Sequence, residues 1–137
     1  MRIPVTALLT AAFLSAPTLP SASIAEAEGR TPPLAFRQAV AEAAFGDDSL
    51  GAFYRETGYV PLFTGADDES RARRAALLEA LARAPLHGLP AAAHDAGALR
   101  DVFARAGSPR ARGEAEVAAA RAYLAYAHAV QSGILEP

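Results

Sequence analysis

Cysteine is absent from the 137 residues of this chain. A disulfide, a thiolate nucleophile and a thiolate metal site are therefore all excluded within it. Lysine is absent as well, and the 13 arginines are outnumbered by 15 Asp and Glu residues, which leaves a net charge of -2. Nucleic-acid binding would require a strong basic excess, so this balance argues against it and against an anionic membrane surface as the main partner.

Common catalytic and metal-binding patterns are also lacking. No serine lies in a G-x-S-x-G or S-x-x-K motif, and there is no glycine-rich phosphate loop. The histidines His87, His94 and His128 include no pair with the i, i+4 spacing of helical metal ligands. Acidic groups at residues 47–48 and 67–69 stand at predicted helix starts, where capping accounts for them. We therefore predict no catalytic residue, no metal site and no cofactor for this chain.

The first 27 residues have the pattern of a secretory signal peptide. Arg2 precedes an apolar run over residues 3–14, after which two prolines break any helix and small residues follow. The triplet AEA at residues 25–27 fits a cleavage site, and cleavage after Ser23 is the alternative. The apolar run is too short for an uncleaved membrane anchor, which needs about 20 apolar residues. The mature protein is thus expected in the periplasm, with no membrane attachment after cleavage.

Helical periodicity dominates the remainder. Residues 28–33 form a polar linker, and residues 34–137 are predicted to form one all-α domain, a small bundle of about five short helices. The predicted helices cover residues 34–45, 48–57, about 67–84, 95–106 and 113–132. The residues expected to form the buried stripe are Leu77, Leu78 and Leu81 on the third helix. On the fourth helix they are Leu99, Val102, Phe103 and Ala106, and on the fifth they are Ala120, Tyr123, Tyr126, Ala127, Val130 and Ile134.

Local signals refine this prediction. Gly58 occupies the position of a left-handed helix C-cap. On the third helix, Asp67 with Arg71, Glu69 with Arg73, and Glu79 with Arg83 are predicted i, i+4 ion pairs. A second arginine group, Arg110 and Arg112, is predicted to lie in a solvated loop.

Residues 59–63 (YVPLF), which we call the strap, cannot continue a helix because Pro61 forbids it. Tyr59, Pro61 and Phe63 supply more apolar surface than so small a core requires, and tyrosines are common at interfaces. Ile134 and Leu135 follow Gly133, the predicted stop of the last helix. We predict that these five residues form part of a docking surface. The alternative is that the strap covers the core of its own domain.

Several segments together resemble a known family. They are Phe53-Tyr54, the block GYVPLF at 58–63, LLEAL at 77–81 running to HGL at 87–89, AYLAYAH at 122–128, and the closing Ser132, Gly133 and Pro137. This ordered set, over about residues 36–137, resembles the N-terminal scaffold region of the large L,D-transpeptidases of Gram-negative bacteria. One departure is Phe63, where the family tends to place tryptophan, so that an N–H donor is lost.

The resemblance implies a role in cell wall biogenesis. Those enzymes cross-link peptidoglycan stem peptides by acyl transfer through a cysteine thiolate, with a histidine as base, in a domain downstream of the scaffold. Because this chain has no cysteine, none of those catalytic residues is carried onto it. It is expected to be a scaffold region truncated before the catalytic domain, with that domain as partner in cis or in trans and peptidoglycan as a further contact. The alternative is a free-standing periplasmic helical protein-binding module.

Overall fold

A computed structural model of the protein describes residues 31–132. Five α-helices run in the order α1 (Leu34–Ala43), α2 (Asp48–Glu56), α3 (Asp68–Arg83), α4 (Ala96–Ala104) and α5 (Pro109–Ser132), with short 3-10 helices at Ala84–His87 and Ala91–Ala93. The predicted all-α bundle is confirmed. The predicted signal peptide, the first half of the predicted linker (residues 28–30), and the predicted docking residues Ile134 and Leu135 lie outside the described residues.

Aspartate side chains cap the first turns of α2, α3 and α4. Asp47, Asp67 and Asp95 each accept a hydrogen bond from the backbone N–H three residues ahead, at 2.8–3.0 Å. This confirms the capping role of both acidic groups. Because its carboxylate serves as a cap, Asp67 does not pair with Arg71 as predicted, and Asp68 takes that partner instead. The other two predicted ion pairs on α3 are present.

Helix α5 begins four residues before its predicted start. Ser108 accepts a hydrogen bond from the Ala111 N–H at 3.1 Å, and Pro109 occupies the first helical position. The N–H groups in the first turn of a helix have no partner within that helix, so a proline there removes no hydrogen bond. Ser108 and Pro109 therefore begin α5. Arg110 and Arg112 therefore lie in the first turn of α5 and not in a loop. Arg110 bridges Glu42 of α1 and Glu114 of α5.

The core lies where α5 crosses the other helices. Leu77, Leu81 and Leu99 are buried as predicted, whereas Leu78 and Val102 are only partly buried. The most extensive contact is between α1 and α5. A central set of buried side chains joins all five helices and the strap: Phe36, Val40, Leu50, Tyr54, Phe63, Leu77, Leu81, Leu99 and Val117.

The predicted buried stripe of α5 is wrong in its second half. Burial is concentrated over residues 113–120, while Tyr123 and Val130 are 52% and 55% exposed. The reason is length, because α1 has 10 residues and α5 has 24. At 1.5 Å per residue these helices measure about 15 and 36 Å, so α1 covers less than half of its neighbour.

Candidate docking site

The strap begins with a sharp reversal after α2. Gly58 has the predicted left-handed conformation, with φ of +66°, and Tyr59 has it too, with φ of +61°. This conformation is costly for a residue with a side chain, about 1–3 kcal/mol. It is held by a 2.8 Å hydrogen bond from the Tyr59 N–H to the Tyr54 carbonyl, and by the Arg37 guanidinium, 5.5 Å from the centre of the Tyr59 ring.

A single buried carboxylate, that of Glu116 on α5, binds the far end of the strap. Its Oε1 accepts hydrogen bonds from the Tyr54 hydroxyl at 2.9 Å and the Leu62 N–H at 2.7 Å. Its Oε2 accepts from the Phe63 N–H at 3.1 Å, the Thr64 N–H at 2.9 Å and the Thr64 hydroxyl at 2.8 Å. Buried backbone N–H groups need an acceptor, and at this bend of the chain the carboxylate supplies it for three consecutive residues.

The electrostatics of this cluster favour a neutral tyrosine. Burial, together with the adjacent Glu116 charge and the hydrogen bond to it, raises the pKa of Tyr54 well above its ordinary value. The hydroxyl therefore stays protonated at neutral pH and remains a donor. Sequence reasoning missed Glu116, because an acid on a long helix is ordinarily solvated. The sequence feature that could have indicated its burial is the run of small apolar residues on both sides of it, at 115 and 117–120.

The three predicted strap residues do not share one face. Tyr59 lines a hollow between α1 and α2, and Pro61 lines a second hollow beside Phe36 and Thr64. Phe63 is only 5% exposed and packs in the core, with its ring centroid 6.4 Å from that of Tyr123. The strap thus does cover the core, and only its Leu62–Phe63 end reaches the surface on which the second half of α5 lies.

That surface contains two adjoining hollows. One, of about 520 Å³, lies against α3 and the other, of about 320 Å³, lies against α2. Leu62, Phe63 and Tyr123 line both hollows. We call the combined surface the apolar face and define it by Phe53, Leu62, Phe63, Tyr123, Leu124 and Tyr126.

The second half of α5 is unusually poor in charge for an exposed helix. Residues 117–132 include one charged side chain, Arg121, which donates to the Ala43 carbonyl at 2.7 Å. Tyr123 and Leu124 nevertheless remain 52% and 47% exposed. A helix that faces water normally carries a polar face, and exposed aromatic patches without charge are typical of protein interfaces.

The histidines are dispersed. His87 and His128 are exposed, while His94 is buried with its ring edge-on to Tyr126, at a centroid distance of 5.9 Å. Within residues 31–132, no group of three or more His, Asp or Glu side chains is placed to hold a metal ion. In the same part of the chain, no helix is both long and apolar enough to cross a membrane.

A protein-family model matches most of the chain. A family model described as a scaffold domain covers residues 48–137, about two thirds of the chain, including the strap, Glu116 and the whole apolar face. The chain belongs to the scaffold-domain family. This membership is consistent with the resemblance to the scaffold region of L,D-transpeptidases, and a scaffold domain is not itself catalytic. No curated protein and no solved structure matches the chain.

Proposed function

We propose that this protein is the non-catalytic scaffold region of a periplasmic L,D-transpeptidase that cross-links peptidoglycan. In this proposal the apolar face docks the catalytic domain, and the thiolate chemistry takes place on that partner. The observation that carries the proposal is the charge-poor, aromatic second half of α5 beside the strap, in a chain of the scaffold-domain family.

The chemistry of the apolar face favours a folded domain over a glycan strand. Its two hollows are lined mainly by hydrocarbon and aromatic side chains, with Arg73 in the lining of the larger and Ser49 in that of the smaller. A sugar would need several convergent polar groups, whereas apolar side chains of a partner need only matching shape. An interface between linked domains commonly buries about 600–1,500 Å².

The test is a calorimetric titration. The purified chain is titrated with the separately produced catalytic domain of a full-length L,D-transpeptidase of this family. Leu124→Asp places a charge in the middle of the apolar face. Because Leu124 is 47% exposed, the fold should survive, whereas substitution of the buried Phe63 would damage the core. We expect saturable binding, weakened at least about tenfold by this change.

The matched control is Leu86→Asp. Leu86 is 82% exposed and lines neither hollow of the apolar face, so its substitution should leave the affinity unchanged. Equal losses in both variants would indicate a nonspecific effect of charge. Absence of saturable binding by the unmodified chain would overturn the docking proposal and favour the free-standing binding module with a different partner.

A further inference from the structure

We propose that Glu116 is a positioning residue that holds the Leu62–Thr64 segment in place and thereby shapes the apolar face. The effect on docking rests on the proposed function, whereas the effect on the strap does not. Glu116 itself is fully buried, so it cannot contact a partner. Its influence on any docking event must therefore pass through the strap.

Glu116 is the hydrogen-bond acceptor for the backbone N–H groups of this segment. Three consecutive backbone N–H groups, those of Leu62, Phe63 and Thr64, converge on the one carboxylate. Phe63 and Thr64 are buried, so these donors would lose their partner and gain little water if the carboxylate were removed. Hydrogen bonds to a charged group are also stronger than those between neutral groups.

The carbonyl side of the same segment faces α3. Arg73 donates to the Leu62 carbonyl at 3.4 Å and Arg74 donates to the Phe63 carbonyl at 3.1 Å. Side chains from two helices therefore bond both the N–H groups and the carbonyl groups of this segment. Arg73 is partly exposed and shares its guanidinium with Glu69, so the buried carboxylate is the stronger of the two attachments.

The position of this segment determines the form of the apolar face. Leu62 and Phe63 line both hollows, and their backbone N–H groups are the ones that Glu116 holds. A strap released from α5 would move the residues that both hollows share. A substitution at a buried site should thus alter a surface that it does not reach.

The experiment compares Glu116→Gln with Glu114→Gln in the full chain, using amide hydrogen exchange. Glutamine keeps the shape of Glu116 but turns an NH₂ group toward N–H donors, so part of the cluster must open. Glu114 lies on the same helix and is exposed, so it provides the matched control. We expect the exchange of the Leu62, Phe63 and Thr64 amides to accelerate about ten- to a hundredfold in Glu116→Gln only.

The distinguishing readout is the pattern across the chain. A positioning role predicts fast exchange confined to residues 62–64, with the amides of Leu81 and Val117 changed less than about threefold. Unchanged strap amides, or parallel acceleration in all helices, would overturn the proposal. If Glu116→Gln does not fold, Thr64→Val serves instead, because it removes the hydroxyl donor alone and should produce a smaller acceleration with the same confinement.

Titration with the catalytic domain then tests the consequence for docking. If the unmodified chain binds, Glu116→Gln should weaken binding at least about fivefold, whereas Glu114→Gln should not. Unchanged affinity beside a loosened strap would refute the claim that Glu116 shapes the docking surface. If the unmodified chain does not bind, the proposed function fails, and the exchange pattern still decides whether Glu116 positions the strap.

Discussion

Replacing Gly113 with alanine would place a methyl group where α1 and α5 approach most closely. A Cβ atom at residue 113 would lie 2.6 Å from the Phe36 carbonyl oxygen, 2.8 Å from the Ala39 Cβ and 3.2 Å from the Val40 nitrogen. Two of these three atoms belong to the α1 backbone, which cannot rotate away as a side chain can. The two helices would have to separate along their main contact.

Two opposing effects set the expected change in stability. Alanine is favoured over glycine inside a helix by about 1 kcal/mol. Overpacking a close contact costs about 1–3 kcal/mol, and the rigid backbone neighbours here place Gly113→Ala toward the upper end. The net loss should be about 1–2 kcal/mol. For a domain of this size, that corresponds to a fall in Tm of about 5–15 °C.

The assay is thermal unfolding of the full chain followed by far-ultraviolet circular dichroism, with Gly51→Ala as the control. A Cβ at residue 51, inside α2, would meet only the Arg55 Nη1 at 3.4 Å, and that group can move. Gly51→Ala should therefore raise stability by up to about 1 kcal/mol. A Gly113→Ala melt at or above that of the unmodified chain would refute the close approach of α1 and α5.

Three further outcomes are expected. Leu81→Ala should lower the free energy of unfolding by about 2–5 kcal/mol in urea titrations, because Leu81 is buried at the centre of the core; an unchanged midpoint would place it at the surface. Burial and the Glu116 charge raise the pKa of Tyr54, so the unfolded chain releases this proton first and stability should fall as the pH rises above about 10. Tyr54→Phe should lose less stability over that range in pH-dependent melts, and with no lysine present few other groups titrate there. Amino-terminal sequencing of periplasmic material should give a mature start near Glu28, and recovery of Met1 from a membrane fraction would contradict the signal peptide.

Features that depend on neighbours within about one helical turn could be predicted from the sequence. Asp47 and Asp67 could be assigned as caps because a carboxylate bonds the backbone three residues ahead. Gly58 could be assigned a left-handed conformation because it follows the periodic residues of α2. The all-α class followed from the same local periodicity, and the ordered set of short segments was enough to indicate the scaffold family.

Which surfaces meet depends on contacts between residues that are far apart in the chain. Glu116 is bonded to Tyr54, 62 residues away, and to a strap more than 50 residues away, so nothing local distinguishes it from a solvated acid. Tyr123 continues the apolar periodicity of α5, yet it is 52% exposed because it borders two open hollows, beyond the part of the helix in which burial is concentrated. Capping and turn formation are settled by short-range sterics and hydrogen bonds. Burial depends instead on which distant parts of the chain pack against a residue. Periodicity indicates which face of a helix is apolar but not which element covers that face.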